Sequence, residues 1–135
     1  MNAKSKYGMA SLILASEKGH VEVVHALLNH DGVDVNIKNE NGNTALIRAS
    51  WIGHLDVVGA LLNQKGVDVN IMNSFGETAL IFASNYCNLE VVRALLYHKE
   101  VDVEVKDNHG NTSLIRASEN GNVEVVRALL KHELM

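Results

Sequence analysis

The chain has 135 residues and a mass of 14.8 kDa, enough for one domain around one core. Hydrophobic residues make up 47% of it and charged residues 21%, which excludes disorder as a description of the whole. Twelve Lys and Arg against sixteen Asp and Glu leave a net charge of −4, the wrong sign for gripping a nucleic acid duplex. The single cysteine, Cys87, rules out an internal disulfide framework and a multi-cysteine metal site. At the N-terminus, Met1 to Lys6 lead into a short apolar stretch, Met9 to Ala15, with no small-residue cleavage site behind it. No signal peptide is expected there, and no apolar run is long enough to cross a bilayer. A free thiol and the lack of a leader point to an intracellular, cytoplasmic setting with no membrane contact.

Read in chain order, the sequence repeats itself. The phrase Ser11-Leu12-Ile13-Leu14-Ala15-Ser16 returns as Ala45 to Ser50, Ala79 to Ser84 and Ser113 to Ser118, with leucines at 12, 46, 80 and 114. The step is 34 residues without slippage. A second phrase, Val23-Val24 followed by Leu27-Leu28, keeps the same step at Val57, Val91 and Val125. A third links the units: Val33-Asp34-Val35-Asn36, Val67-Asp68-Val69-Asn70 and Val101-Asp102-Val103-Glu104. Repeats at 1–34, 35–68, 69–102 and 103–135 therefore account for the whole chain as a single domain.

Each unit has the same physical reading. Thr44, Thr78 and Thr112 are predicted N-caps of a first helix, whose apolar positions (Leu46, Ile47 and Ala49 in the second unit) recur at helical spacing until Gly53 stops it. A second helix is predicted from about Leu55 to Gln64, with Val57, Val58, Leu61 and Leu62 on one face. An acid near its start (Glu22, Asp56, Glu90, Glu124) suits the positive end of the helix dipole. Val67 to Ile71 then alternates like a short strand, and Asn39–Gly42, Asn73–Gly76 and Asp107–Gly110 carry turn chemistry. One such unit cannot bury both of its apolar faces, so stacking against neighbours must supply the stability.

These phrases resemble the ankyrin repeat family. Its pattern of Gly, any residue, Thr-Pro-Leu-His, a later Ala, Gly-His and a Val-Val…Leu-Leu helix appears as Gly42-Asn43-Thr44-Ala45-Leu46-Ile47-Arg48-Ala49, Gly53-His54 and Val57-Val58…Leu61-Leu62. The resemblance covers all four units. It implies an all-α solenoid of stacked helix-turn-helix pairs with β-hairpin loops projecting from it, and protein binding without catalysis. The departures are physical. Ala45, Ala79 and Ser113 replace the Pro that pre-organises the first helical turn. Ile47, Ile81 and Ile115 replace the His that would bond to Thr, so apolar packing must substitute. Cys87 stands where an inter-helix glycine belongs, and Glu100 where Gly32 and Gly66 stand; a non-glycine residue forced to positive φ costs about 1 kcal/mol. Gly59 inside the second helix adds about 1 kcal/mol relative to alanine. The third unit should be the softest. In the first unit, Met9-Ala10 stands where a Thr cap belongs. Neither end carries a polar capping face, which suggests a segment of a longer array or ends that pair with something.

In such a scaffold the recurring residues build the stack and the varying ones meet a partner. The loop tips hold Lys6-Tyr7, Glu40-Asn41, Ser74-Phe75 and Asn108-His109, and the slot after the tip glycine holds Met9, Asn43, Glu77 and Asn111. The end of the first helix holds Trp51-Ile52 and Asn85-Tyr86, and the groove-side slot holds Leu14, Arg48, Phe82 and Arg116. The resemblance thus assigns partner contact to Tyr7, Glu40, Asn41, Asn43, Arg48, Trp51, Ile52, Ser74, Phe75, Glu77, Phe82, Asn85, Tyr86, His109, Asn111 and Arg116. Five of the six aromatics fall in these slots, and the central units could gather them into one patch that carries most of the binding energy.

The chemistry is otherwise thin. His20 and His54 sit in a slot where a capping hydrogen bond is expected. His30, His98 and His132 recur one per unit, about 8–10 Å apart in a helix stack, too far to share a zinc ion. Nothing marks Cys87 as a nucleophile. No cofactor and no metal are expected. The resemblance also brings Asn36 and Asn70 forward as possible hydroxylation targets, against a structural role in the loop. The leading expectation is a non-enzymatic protein-interaction scaffold, monomeric or associating end to end. Alternatives from other classes are capture of a small ligand or nucleotide by stacking on Trp51, Phe75 or Tyr86, a spacer within a longer array, and an engineered scaffold.

Overall fold

The computed structural model describes the backbone of residues 3–133 and the side chains of residues 11–133. Among the described residues it contains eight helices and no strand: α1 (Ala3–Lys18), α2 (Val21–Leu28), α3 (Ala45–Ile52), α4 (Leu55–Leu62), α5 (Ala79–Asn85), α6 (Leu89–Tyr97), α7 (Ser113–Glu119) and α8 (Val123–Glu133). Each odd helix packs on the even helix that follows it. The odd helices also pack on one another in sequence, α1 on α3, α3 on α5 and α5 on α7, and the even helices do the same. The result is two parallel rows of helices, an all-α solenoid built from one repeated pair.

Local chemistry sets the helix starts. Thr44, Thr78 and Thr112 lie in extended backbone, and each Oγ1 accepts the N–H three residues on, from Ile47, Ile81 and Ile115. Each cap contributes about 1 kcal/mol. In the first pair nothing breaks the chain: Ser5 and Ala10 occupy the slots of the loop acceptor and the Thr cap. The backbone of α1 runs as helix through the expected tip at Lys6-Tyr7, and the side chains of Tyr7 and Met9 lie outside the described residues.

The alternating segment is not a strand. In Val67–Ile71 the backbone N–H groups that a strand ladder would use are taken by side chains and turns. Asp68 N donates to Asn36 Oδ1 at 2.8 Å, Asn70 N donates to Asp68 Oδ1 at 2.9 Å, and Val67 N donates to Gln64 O at 3.2 Å. Asx turns of this kind outcompete the extended ladder. The α4 helix stops at Leu62, two residues short of the predicted end, because Gln64 N already turns back to Leu61 O.

The core lies between the rows and between successive pairs. Val57, Val91 and Val125 of the even row are buried, as are Leu46 and Leu80 of the odd row. Ile47 and Ile81, each 1% exposed, fill by packing the slots where histidine was expected. Their counterpart Ile115 is 41% exposed, because no further pair covers that face of α7. Covering one such side chain stabilises by about 2 kcal/mol, which shows how much each joint contributes.

The third pair departs from the others at both turns. Cys87 takes φ +62°, where Gly53 takes +98°, so the strain read from sequence is present. Glu100 is different. The only non-glycine residue with positive φ among the described residues is Cys87, so the expected strain at Glu100 is absent. Instead α6 runs one residue further than α4, and the backbone leaves it through an extended His98 (φ −70°, ψ 126°). The chain avoids the left-handed turn that Gly66 makes at φ +87°.

Candidate functional site

One geometric rule organises the odd-helix face. The groove-slot residue of each odd helix reaches back to a residue 31 positions earlier, at the end of the previous odd helix. Three chemistries fill this one contact. Arg48 Nε donates to Glu17 Oε1 at 3.0 Å. Phe82 stacks on Trp51 with centroids 4.4 Å apart and planes 8° from parallel. Arg116 Nε donates to Asn85 Oδ1 at 3.1 Å.

The middle contact grows into a cluster. Tyr86 lies 6.1 Å from Trp51 and 6.5 Å from Phe82, with its ring within 13° of both planes. The Arg48 guanidinium sits 4.5 Å from the Trp51 centroid. A cation over a Trp face and offset stacked rings are each favourable by about 1 kcal/mol. Phe82 is only 4% exposed, so it is a packing residue of the joint. That corrects its assignment as a contact residue: Trp51 covers it. Trp51 is half-buried, Tyr86 is 50% exposed, and Ile52 is exposed beside them.

The last joint is polar. Arg116 Nη1 lies 2.9 Å from Asp107 Oδ2, and its Nη2 lies 3.9 Å from Glu77 Oε2. The Asp107 carboxylate is buried. Burial alone pushes its pKa up, but N–H donation from Asn111 and His109, with the Arg116 charge, outweighs this and holds it below the ordinary aspartate value. Arg116 and Glu77 are therefore committed to this network, with most of each side chain covered. The sequence assigns them to a partner and Asp107 to the turn alone, without its pairing to Arg116. The available signal was the change from Asn39 and Asn73 to an acid in that slot, with Arg116 nine residues later.

The loop tips are built from side-chain acceptors. Asn39 Oδ1 accepts the N–H of Asn41 and Asn43, Asn73 Oδ1 those of Phe75 and Glu77, and Asp107 Oδ1 those of His109 and Asn111. Successive tips join through Ser74 N to Asn41 O and Asn108 N to Phe75 O, both 3.0 Å. Glu40, Asn41, Ser74, Phe75 and His109 are exposed, with Phe75 at 62%. Asn43 is not: it is buried, and its Oδ1 accepts from Asn73 Nδ2 at 2.9 Å. Its slot faces the neighbouring loop, a second correction. Asn111 is half-buried over the Asp107 carboxylate, and Asn85 is half-buried against Arg116.

Asn36 and Asn70 knit the loop bases. Asn36 Nδ2 donates to Gly66 O at 2.8 Å, Asn70 Nδ2 donates to Glu100 O at 2.8 Å, and Asn70 Oδ1 accepts from Asp102 N. Both amides are thus engaged on both sides with the next unit. His54 Nε2 donates to Glu17 O at 2.9 Å, capping the end of α1, and Asn88 does the same for Ser50 at the end of α3. His20 has no preceding helix to cap and is exposed.

Cys87 is a free, exposed thiol. Among the described residues no group of three His, Cys, Asp or Glu is placed to hold a metal ion, and no helix is long and apolar enough to cross a membrane.

No relative matches the chain among curated proteins. A family profile described as ankyrin repeats in three copies matches residues 1–73 and again residues 61–134. These matches span nearly the full length, and the paired helices stack as that profile requires: the chain belongs to the ankyrin repeat family.

Proposed function

We propose that this chain is a non-enzymatic scaffold that captures another protein across the odd-helix face and the loop tips. Ankyrin repeats are generally protein–protein interaction modules, and that is the coarse ground for the reading. The observation that carries the finer one is the aromatic cluster. Tyr86 presents half of its ring beside the half-buried Trp51, with Ile52 exposed next to it and Phe75 exposed at a neighbouring tip. Large rigid rings at the centre of a face are the side chains that anchor interfaces. A rigid stack also spends little entropy when a partner docks. The nucleotide-capture alternative is weaker, because the chain's net charge of −4 opposes a phosphate and Trp51 already carries Phe82 on one face.

The test compares capture of lysate proteins by wild type and by the double variant Phe75→Ala plus Tyr86→Ala. Both rings stand outside the core, so the thermal melt should stay within a few degrees of wild type. A discrete partner retained by wild type and lost by the double variant supports the reading. Equal capture by both, or none by wild type, removes it.

A further inference from the structure

The even-helix side carries a second feature, remote from the aromatic cluster. A groove of about 770 Å³ runs between α6, with the turn that follows it, and α8. Four cations line it, Arg93, Lys99, Arg127 and Lys131, against one carboxylate, Glu124, and the partly buried Leu96 and Ala128 give it an apolar floor. Beyond Tyr97 the opening continues over about 580 Å³ to Gly59 and Leu62 of α4. Tyr97 stands on the divide, 93% exposed.

One sequence departure opens the end at α4. The slot that carries His25, Arg93 and Arg127 in the other units is Gly59 in α4, so no side chain covers that end. A Cβ there would meet nothing within 4 Å. In the third unit α6 runs one residue further than α4 and ends on Tyr97, which holds the slot of Asn63.

Charge selects the occupant. Arg93 and Arg127 are paired with Glu90 and Glu124 on their own helices, at 3.1 and 3.0 Å. Lys99 and Lys131 have no ion pair among the described residues and are exposed at the same groove. On a chain of net charge −4 this lining, with more cations than carboxylates, is a local reversal of sign that favours an anionic ligand at this groove. The apolar floor and the exposed tyrosine call for a ligand with apolar side chains as well as charge. A phosphate backbone lacks those; an acidic peptide has both.

We propose that this groove is a second docking site, for an acidic peptide segment whose apolar side chains pack against Tyr97 while its carboxylates meet Lys99 and Lys131. The proposal stands independently of the aromatic face.

The probe is a fluorescein-labelled twelve-residue peptide of repeated Glu-Glu-Leu, read by fluorescence anisotropy against the full chain. Saturable binding is expected, weakening about tenfold as salt rises from about 50 to about 500 mM. Lys99→Glu with Lys131→Glu should lose at least about tenfold, and Tyr97→Ala about fivefold. Gly59→Glu sharpens the test, since it improves helix propensity in α4 while adding an anion at the groove; it too should weaken binding. Phe75→Ala plus Tyr86→Ala should leave the peptide affinity unchanged, which separates this site from the aromatic one. The proposal fails if the peptide does not bind, if the charge-reversed variant binds equally well, or if a Lys-Lys-Leu peptide binds as tightly. Tighter binding of a twelve-nucleotide oligo-dT would assign the groove to nucleic acid, and a Lys99-dependent dimer in sedimentation would assign it to a second copy; either overturns the peptide reading.

Discussion

The joint between the second and third helix pairs and the joint between the third and fourth share one geometry and differ in chemistry. At the first, Phe82 of α5 lies flat on Trp51 of α3, with an Asn43–Asn73 amide contact beneath. At the second, Arg116 of α7 occupies the slot of Phe82 and reaches Asn85, Asp107 and Glu77. The backbone is indifferent to which is used, because the helix rows fix the 31-residue offset before any side chain is chosen. The apolar joint depends on dispersion and area, and responds little to salt or pH. The polar joint depends on a buried carboxylate that must stay ionised, and it responds to both.

The largest expected effect breaks the apolar joint. Phe82→Ala should lower unfolding stability in urea by about 3 kcal/mol, since it empties a buried site flanked by a flat ring. A loss below about 1 kcal/mol would mean that the ring is not what holds the pairs together.

A smaller effect sharpens the contrast at the polar joint. Asp107→Asn should cost about 2 kcal/mol at neutral pH, because Arg116 keeps its charge in a largely covered site and loses its nearest anion. The pH dependence has a definite sign. The folded pKa of Asp107 lies below the ordinary aspartate value, so its contribution is complete above about pH 4 and is lost as pH falls through the folded value. The gap between wild type and Asp107→Asn should therefore close as urea melts are taken from pH 6 down toward about pH 2, while the gap between wild type and Phe82→Ala persists.

The smallest effect lies between the two joints, at the turn of the third pair. Cys87→Gly should raise stability by about 1 kcal/mol, because glycine adopts φ near +62° without the steric cost that cysteine meets there. A destabilisation on that substitution would show that the cysteine side chain makes a contact worth more than the strain.

Much of the architecture was legible in the residues. The 34-residue step, the Thr caps and the apolar faces of both helices follow from local spacing, and the helices stand within two residues of their predicted ends from the second pair onward. Positive φ at Cys87 was legible because it shares a slot with Gly53. The loop was misread because alternation of Val and Asp has two solutions. An aspartate that bonds the N–H two residues on makes turns, and only the neighbouring unit's asparagine decides between turn and strand. Glu100 was misread for a related reason: the same turn, closed by Val101 N on His98 O as Val67 N closes on Gln64 O, also forms without a positive φ at its third residue.

The candidate site was harder to read, because variation between units is not the same as exposure. Phe82 and Asn43 vary from copy to copy and are nevertheless buried, each against a residue that varies with it. The pairings Glu17–Arg48, Trp51–Phe82 and Asn85–Arg116 cross between units at a separation that is not the repeat length, so no single unit reveals them. The Asp107–Arg116 pair lies within one unit, but its burial comes from the stack around it.

The acceptor side chains at the loop bases have a practical consequence. Asn39, Asn73 and Asp107 hold the turns by their grip on main-chain N–H groups, and tip meets tip through main-chain bonds, with one side-chain bond added at the last joint, from Asn108 Nδ2 to Ser74 O. The identities at positions 40–41, 74–75 and 109 are thus decoupled from folding, and a combinatorial library could be grafted there as onto a blank, while Asn108 is kept for its bond to Ser74. The flanking Gly42 and Gly76 bound that window: a methyl group on either would come within 2.9 Å of the next loop's backbone nitrogen, so diversification must stop before them.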